Sequence, residues 1–326
     1  MILAGDTGGT KTRLALYQMR ERRLVRQHIE AFVSSDFKGL AEVAQEFLNK
    51  YNVSVDKACF GVPGPVIMGV VQTTNLPWTL TEDEISQALN IPKLKLVNDL
   101  VATTASLPYL SPDKLHVLHQ GQKTDWQDTM CGVVAPGTGL GQAFLRCESG
   151  QFNVFASEGG HVDFAPSNEM EVELFRYLKS KFGHVSYERL LCGPGLVNIY
   201  TFLKDTGVAS EPSDLRKRLQ DDDPAAVIST AGQTGEFEIC VKALDIVASV
   251  LGAQAGNLVL TLMATGGVFL GGGIPPKILR KLTDGTVVAA YLNKGRLSGL
   301  VKNTSLYVIL DDHAAVLGAA HLAAKL

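Results

Sequence analysis

The sequence predicts an α/β protein of two domains. Three features carry that prediction. The N-terminal stretch reads as three successive strands and then as alternating helix and strand, an α/β domain of about a hundred residues. A second set of strands and helices begins near Leu110. Each half also holds one glycine–threonine turn between apolar runs, Asp6-Thr7-Gly8-Gly9-Thr10 in the first and Pro136-Gly137-Thr138-Gly139-Leu140-Gly141 in the second. At 326 residues the chain has the length for two domains or one large one, either with a sizeable core.

In chain order, Ile2-Leu3-Ala4 reads as a short buried strand, Arg13 to Tyr17 as a second and Leu24 to Val33 as a third. From Leu40 to Leu48 the apolar residues Leu40, Val43, Ala44, Phe47 and Leu48 fall on one side of a helix. Lys57 to Val62 is a strand, followed by the Pro63-Gly64-Pro65 turn and a further strand through Val71. Thr81 with Glu84 forms a capping box for a helix ending near Leu89. Lys93 to Val97 is the next strand, and Asn98-Asp99 leads into a helix through Leu107.

The second half shows strands around 132–135 and 142–147, then several helices. The apolar run Glu236 to Met263 is its spine, followed by a strand at Gly266 to Leu270 and a sharp break at Gly271-Gly272-Gly273. Gln254, Asn257 and many glycines interrupt the apolar region, which favours a buried helix and strand over a membrane span. A strand at Leu306 to Leu310 and a helix from His313 close the chain. The expected division is a small α/β domain of residues 1–109 plus 311–326 and a large domain of 110–310.

With 46% hydrophobic residues, 19% charged residues and a net charge of −3, the balance is globular. It offers no electrostatic reason for a nucleic acid or acidic membrane partner. Cys59, Cys131, Cys147, Cys192 and Cys240 form no CxxC pair, so reduced thiols in a cytoplasmic protein are expected. The N-terminus lacks the order of a signal peptide.

Ala4 to Thr12, AGDTGGTKT, is close to a phosphate-binding P-loop but departs from it twice. Thr10, not glycine, precedes Lys11, and a strand pattern follows where a helix is required. The segment is therefore expected to be a β-hairpin with backbone N–H groups and threonine hydroxyls facing outward. Gly8 and Gly9 let the backbone approach a phosphate, clustered N–H groups make an anion nest, and Asp6 at the strand end can hold Mg²⁺. A plain tight hairpin is the competing reading. Two such turns, however, can grip a nucleotide's phosphates, with Thr10, Gly137, Thr138 and Gly139 in contact. The glycine run through Gly272 and Gly273 leaves a side-chain-free surface against which adenosine can lie, though close packing alone also explains it.

AGDTGGTKTRLAL, LVNDLVAT, APGTGLG, SEGGHVDFAP, YERLLCGPGLVNIY and GGVFLGGGI occur here in the order found in bacterial glucokinases. The chain resembles that family from Gly5 to the helix after His313. The resemblance implies a two-domain actin-like ATPase, or ribonuclease H-like, fold with an interdomain cleft. It further implies ATP-dependent phosphorylation of glucose at O6 with Mg²⁺, and a homodimer. Repressor-type sugar kinases carry a cysteine-rich zinc motif, which this sequence lacks, so the similarity is to the zinc-free glucokinases.

Asp99 follows a strand and opens a helix, so its carboxylate projects from the strand's C-terminal end. From the residues alone it reads either as a base or as the N-cap of a helix beginning at Leu100. Asn98-Asp99 matches the family's Asn-Asp pair, which implies that Asp99 accepts the proton of the sugar 6-OH and that Asn98 binds a hydroxyl beside it. Glu158, His161 and Glu188 correspond by motif to residues that bind glucose hydroxyls; carboxylates and imidazole suit vicinal hydroxyls. On their own they also read as a solvated loop charge, a structural histidine and a helix-terminal carboxylate. Asn75 is a further candidate for the wall of the sugar site. Lys11 has no fixed counterpart in the family and reads as solvated. Kinases for mannose, fructose or N-acetylmannosamine, and a non-catalytic actin-like nucleotide-binding module, are the competing functions; the sugar carboxylates count against the last.

Overall fold

The computed structural model describes residues 1–21, 23–73, 76–122 and 128–326. The chain divides into two compact units, one of residues 1–111, 152–156 and 311–326, the other of 112–151 and 157–310.

In the first unit, β1 (Ile2–Thr7), β2 (Lys11–Arg20) and β3 (Arg23–Val33) run antiparallel in sequence, and β4 (Lys57–Val62) and β7 (Lys93–Asn98) extend the sheet in the order β3-β2-β1-β4-β7. β1, β4 and β7 are mutually parallel, which brings the ends at Thr7, Val62 and Asn98 to one edge of the sheet. Helix α1 (Leu40–Tyr51) buries Leu40, Val43, Ala44, Phe47 and Leu48, the stripe its 3.6-residue period predicts, and ends at Asn52 in the left-handed region. Ahead of helix α2 (Glu82–Leu89), Thr81 Oγ1 accepts from Glu84 N at 3.3 Å as the capping motif requires.

Two local expectations need correction. The strand after Pro63-Gly64-Pro65 is confined to β5 (Val70–Gln72), paired with β6 (Thr79–Thr81), because Met68 and Gly69 turn the chain with positive φ immediately before it. Helix α3 spans Asp99–Ala105, and a separate 3-10 turn takes up Leu107–Tyr109.

The last helix, Ala314–Ala324, lies against α3 and the β1 face through Ile2, Ala4, Cys59, Ala102, Val316, Ala319 and Ala320. Alanines and Gly318 let the two helices approach closely. A Cβ on Gly318 would stand 1.8 Å from the carbonyl oxygen of Ala102.

The second unit repeats part of this plan. The β9 (Thr129–Pro136) and β10 (Leu140–Glu148) strands form an antiparallel hairpin, as β1 and β2 do, and β9 also pairs in parallel with β12 (Gly267–Leu270), as β1 does with β4. β13 (Leu306–Ile309) follows in parallel and β8 (Leu115–His119) closes that edge. The sequence echo between the two glycine–threonine turns thus has a counterpart in strand topology. Neither β8 nor the strand β11 (Gln151–Ser157) was legible in the apolar pattern, since neither has a fully buried position.

The helices are α4 (Glu169–Phe182), α5 (Gly193–Asp205), α6 (Ser213–Asp221), α7 (Pro224–Thr234) and α8 (Glu238–Leu262), with shorter ones after β12. α8 is long and apolar enough to cross a bilayer, but 78% of its most apolar window is buried inside the protein, which makes it the spine of this unit's core.

Substituting Gly318→Ala should cost at least about 2 kcal/mol, because the added methyl meets backbone that cannot rotate away. Urea unfolding checks this, and an unchanged midpoint would show that the last helix and α3 are not seated as described.

Candidate active site

The edge where β1, β4 and β7 end gathers two acidic side chains. Asp6 is the penultimate residue of β1, and Asp99 is the first residue of α3, directly after β7. Between them lies Gly61 of β4, in register with Asp6 and lacking any side chain. A Cβ there would fall 3.1 Å from the Ala102 methyl and 3.4 Å from Asp99 Cα, so the glycine is what lets the start of α3 sit on the sheet.

Asp6 feels the charge of Asp99. Burial, then the neighbouring Asp99 charge, push Asp6 up to about 6, against a downward pull from Arg13. Burial likewise raises Asp99 above its ordinary value, opposed by the Leu100 N–H, which donates to Asp99 Oδ1 at 2.8 Å. Arg13 stands cross-strand from Asp6, its guanidinium 3.7 Å from Asp6 Oδ2 and 3.8 Å from Asp312 Oδ2. One guanidinium against these carboxylates leaves negative charge uncompensated. Asp6 therefore offers a hard oxygen donor in a place where an added divalent cation would lower the electrostatic cost, and the donor chemistry fits Mg²⁺.

Asp99 is not the helix cap. That part belongs to Asn98, whose Oδ1 accepts from Leu100 N at 3.0 Å and Val101 N at 3.4 Å, while its Nδ2 donates to Gly64 O at 3.2 Å. The boundary lies one residue earlier than a cap at Asp99 would put it. Asn98 is thereby committed to the backbone on both sides of its amide, and Asp99 is left without the capping role.

The turn after β1 is a hairpin, with Gly8 N donating to Lys11 O at 2.9 Å. Thr10 and Lys11 are exposed. The expectation that the threonine hydroxyls all face outward fails for two of the three. Thr7 and Thr12 are buried, because alternation along the strands turns them into the unit; Thr12 finds Ser34, and Thr7 Oγ1 has no partner among the described residues. No acceptor among the described residues takes the Gly9 or Thr10 N–H, which leaves these donors for an anion.

In the second unit the turn between β9 and β10 is closed by Gly137 N to Gly139 O at 2.8 Å, with Thr138 exposed at its tip. Glu188, in the 3-10 turn Tyr187–Arg189, reaches it and accepts from Leu140 N at 2.9 Å through Oε2. A Cβ on Gly139 would lie 2.6 Å from that same oxygen, so a side chain there would displace the Glu188 carboxylate from the turn. His161 Nδ1 is 3.8 Å from Glu188 Oε1 and its Nε2 is 4.0 Å from Glu158 Oε2. Glu158, His161 and Glu188 thus form one group, with side-chain exposures of 82%, 57% and 32% that leave each open to a ligand.

Gly272 adopts φ +79° at the end of β12, where a Cβ would meet Pro136 O at 2.5 Å, and Ile274 N donates to that same carbonyl at 3.2 Å. The glycine break therefore packs onto the turn holding Gly137, Thr138 and Gly139, while Gly272 and Gly273 remain exposed. Asn75 lies outside the described residues. Arg13 and Ser34 were missed by sequence reasoning. The hairpin register, which pairs Asp6 with Arg13, was the signal available for the first; nothing in the sequence marks the second.

The glucokinase family model matches residues 3–326. A glucokinase of Nostoc punctiforme is 37% identical over 341 residues, covering 100% of this chain and 99% of that protein. Among solved structures, the glucokinase of an Antarctic psychrotroph superposes with a TM-score of 0.88 at 30% identity, covering 100% of this chain and 99% of its own. A glucokinase of Balamuthia mandrillaris in complex with glucose has the same fold, with a TM-score of 0.80 at 22% identity over 99% of this chain and 93% of that one.

Because Asp6 binds its proton more tightly folded than unfolded, stability should fall as pH rises from about 4 to about 6 and stay lower above that. The shift corresponds to at most about 3 kcal/mol. Asp6→Asn should therefore be more stable than the parent at pH 7 and indistinguishable from it near pH 4. Chemical denaturation at the two pH values checks this.

Proposed function

The chain belongs to the glucokinase family, and from that premise we propose that Asp99 is the base for phosphoryl transfer from ATP to O6 of glucose. The family's reaction is phosphorylation of glucose. What carries the assignment of Asp99 is its place at the first position of α3, next to Asp6, with the helix cap supplied by Asn98 instead.

In the first unit, the Gly9 and Thr10 N–H groups and the Thr10 hydroxyl hold phosphate oxygens. In the second, Gly137, Thr138 and Gly139 do the same, and Gly272 and Gly273 provide the surface for adenosine. Glu158, His161 and Glu188 receive ring hydroxyls, Glu188 through Oε1 because Oε2 is engaged by Leu140 N. Asn98 holds the start of α3. Mg²⁺ carried with ATP, held by Asp6, would neutralise phosphate charge. Asp99 takes the proton of the 6-OH as O6 forms its bond to the γ-phosphorus. The bond from that phosphorus to the β–γ bridging oxygen breaks, and ADP leaves with the electron pair.

We also propose that the enzyme works in the cytoplasm, at the start of glycolysis, as a homodimer; sedimentation velocity tests the last point. A screen of glucose, mannose, fructose and N-acetylmannosamine at fixed ATP should show glucose as the preferred acceptor.

Asp99→Asn should lower kcat at least about a hundredfold, the scale of a positioned base, while calorimetry shows glucose still bound. Near-normal turnover in the folded variant rules Asp99 out. Since burial raises Asp99, and a base must be ionised, turnover should decline on acidification at a pH above the ordinary aspartate range.

A further inference from the structure

We propose that Ser34 is a positioning residue for the nucleotide: it fixes the aim of the N–H donors in the first glycine turn. The inference rests on the reading of that turn as a phosphate site.

Ser34 lies directly after β3, at the start of the 3-10 turn Ser34–Asp36, and is fully buried. It holds the glycine turn at both ends. Its backbone N–H donates to Thr10 O at 3.0 Å, and its hydroxyl donates to Gly8 O at 2.8 Å. Thr12 Oγ1 is 3.0 Å from Ser34 Oγ. A hydroxyl has one proton, and Ser34 spends its own on Gly8, so Thr12 must be the donor in that pair. The result is a relay, Thr12 O–H to Ser34 O–H to the Gly8 carbonyl, in which each bond polarises the next.

The consequence follows from the planarity of the peptide group. The C=O of Gly8 and the N–H of Gly9 belong to one trans peptide plane and point in opposite directions. Drawing the Gly8 carbonyl towards Ser34 turns the Gly9 N–H away from it. That N–H has no acceptor among the described residues. The Thr10 carbonyl is fixed likewise by the Ser34 N–H. Gly8 and Gly9 have no side chains to hold their own peptide planes, so an external clamp is what keeps such a turn in one orientation. Ser34 supplies that clamp from the 3-10 turn after β3, and Thr12 orients the clamp.

A residue that only stabilised the fold would, when removed, affect both substrates alike. Ser34 should affect one. In the full-length protein, Ser34→Ala should raise the KM for ATP and the calorimetric Kd for MgADP by about tenfold, the scale of a lost oriented hydrogen bond to a charged group. The Kd for glucose measured without nucleotide should stay within about twofold of the parent. Thr12→Val, which leaves the Ser34–Gly8 bond in place, should shift MgADP binding in the same direction by a smaller factor, and it decides the matter should Ser34→Ala not fold. Unchanged MgADP affinity, or an equal loss of glucose and MgADP, overturns the proposal. Gly9→Pro, which deletes the N–H itself, separates the two levels. If Gly9→Pro weakens MgADP and Ser34→Ala does not, the turn is a phosphate site and Ser34 is not its clamp. If neither weakens it, the phosphate reading of the turn fails as well.

Discussion

Two carboxylates seated side by side at the ends of parallel strands constrain most of what the first unit must be. Burial raises the proton affinity of both, and the Asp99 charge raises that of Asp6 further. The help is local. Arg13 faces Asp6 across the hairpin, and the Leu100 N–H, shared with Asn98, points at Asp99. Gly61 has to be small so that α3 can start where it does, and Gly318 has to be small so that the last helix can hold α3 down. A chain optimised for stability alone would not bury acids here. Their retention, which costs Asp6 at most about 3 kcal/mol, suits the proposed site for a cation-bound polyanion.

The second unit meets a related demand with a different device. Its glycine turn is held by a carboxylate, Glu188, where the first is held by a hydroxyl, Ser34. The difference has a chemical reading. Glu188 has two oxygens, and the turn takes one of them, so the other remains for a sugar hydroxyl beside His161. In the proposed reaction the same side chain therefore touches the acceptor and braces the loop for the donor. Ser34 is buried and does only the second of these tasks.

What the sequence made legible was whatever depends on short-range pattern. The α1 stripe, the Thr81 cap, the buried α8 and the strand–turn–strand character of both glycine–threonine segments follow from period, capping chemistry and turn residues, and the structure has them. The edge strands β8 and β11 were not legible, because strands with no fully buried position give a weak apolar signal. Whether Asp99 caps the helix was left open by the residues alone, because Asn and Asp are nearly equal as caps, and only the tertiary setting decides which turns inward. Outward-facing Thr7 and Thr12 failed because strand alternation continues right up to the turn.

The site divides along the same line. Motif resemblance supplied Asp99, Glu158, His161 and Glu188 as candidates, and the structure gathers the last three around one another. It could not supply Ser34 or the role of Gly139. Ser34 acts on Gly8 across 26 positions of sequence, through a hydroxyl that local pattern treats as an ordinary turn residue. Gly139 reads from sequence as a phosphate contact, whereas in the structure it also leaves room for the Glu188 carboxylate. In both cases the information lies in a distance between residues far apart in the chain. Such residues are where a reaction's geometry is held, since side chains that touch the substrate can be only as well placed as the backbone that presents them.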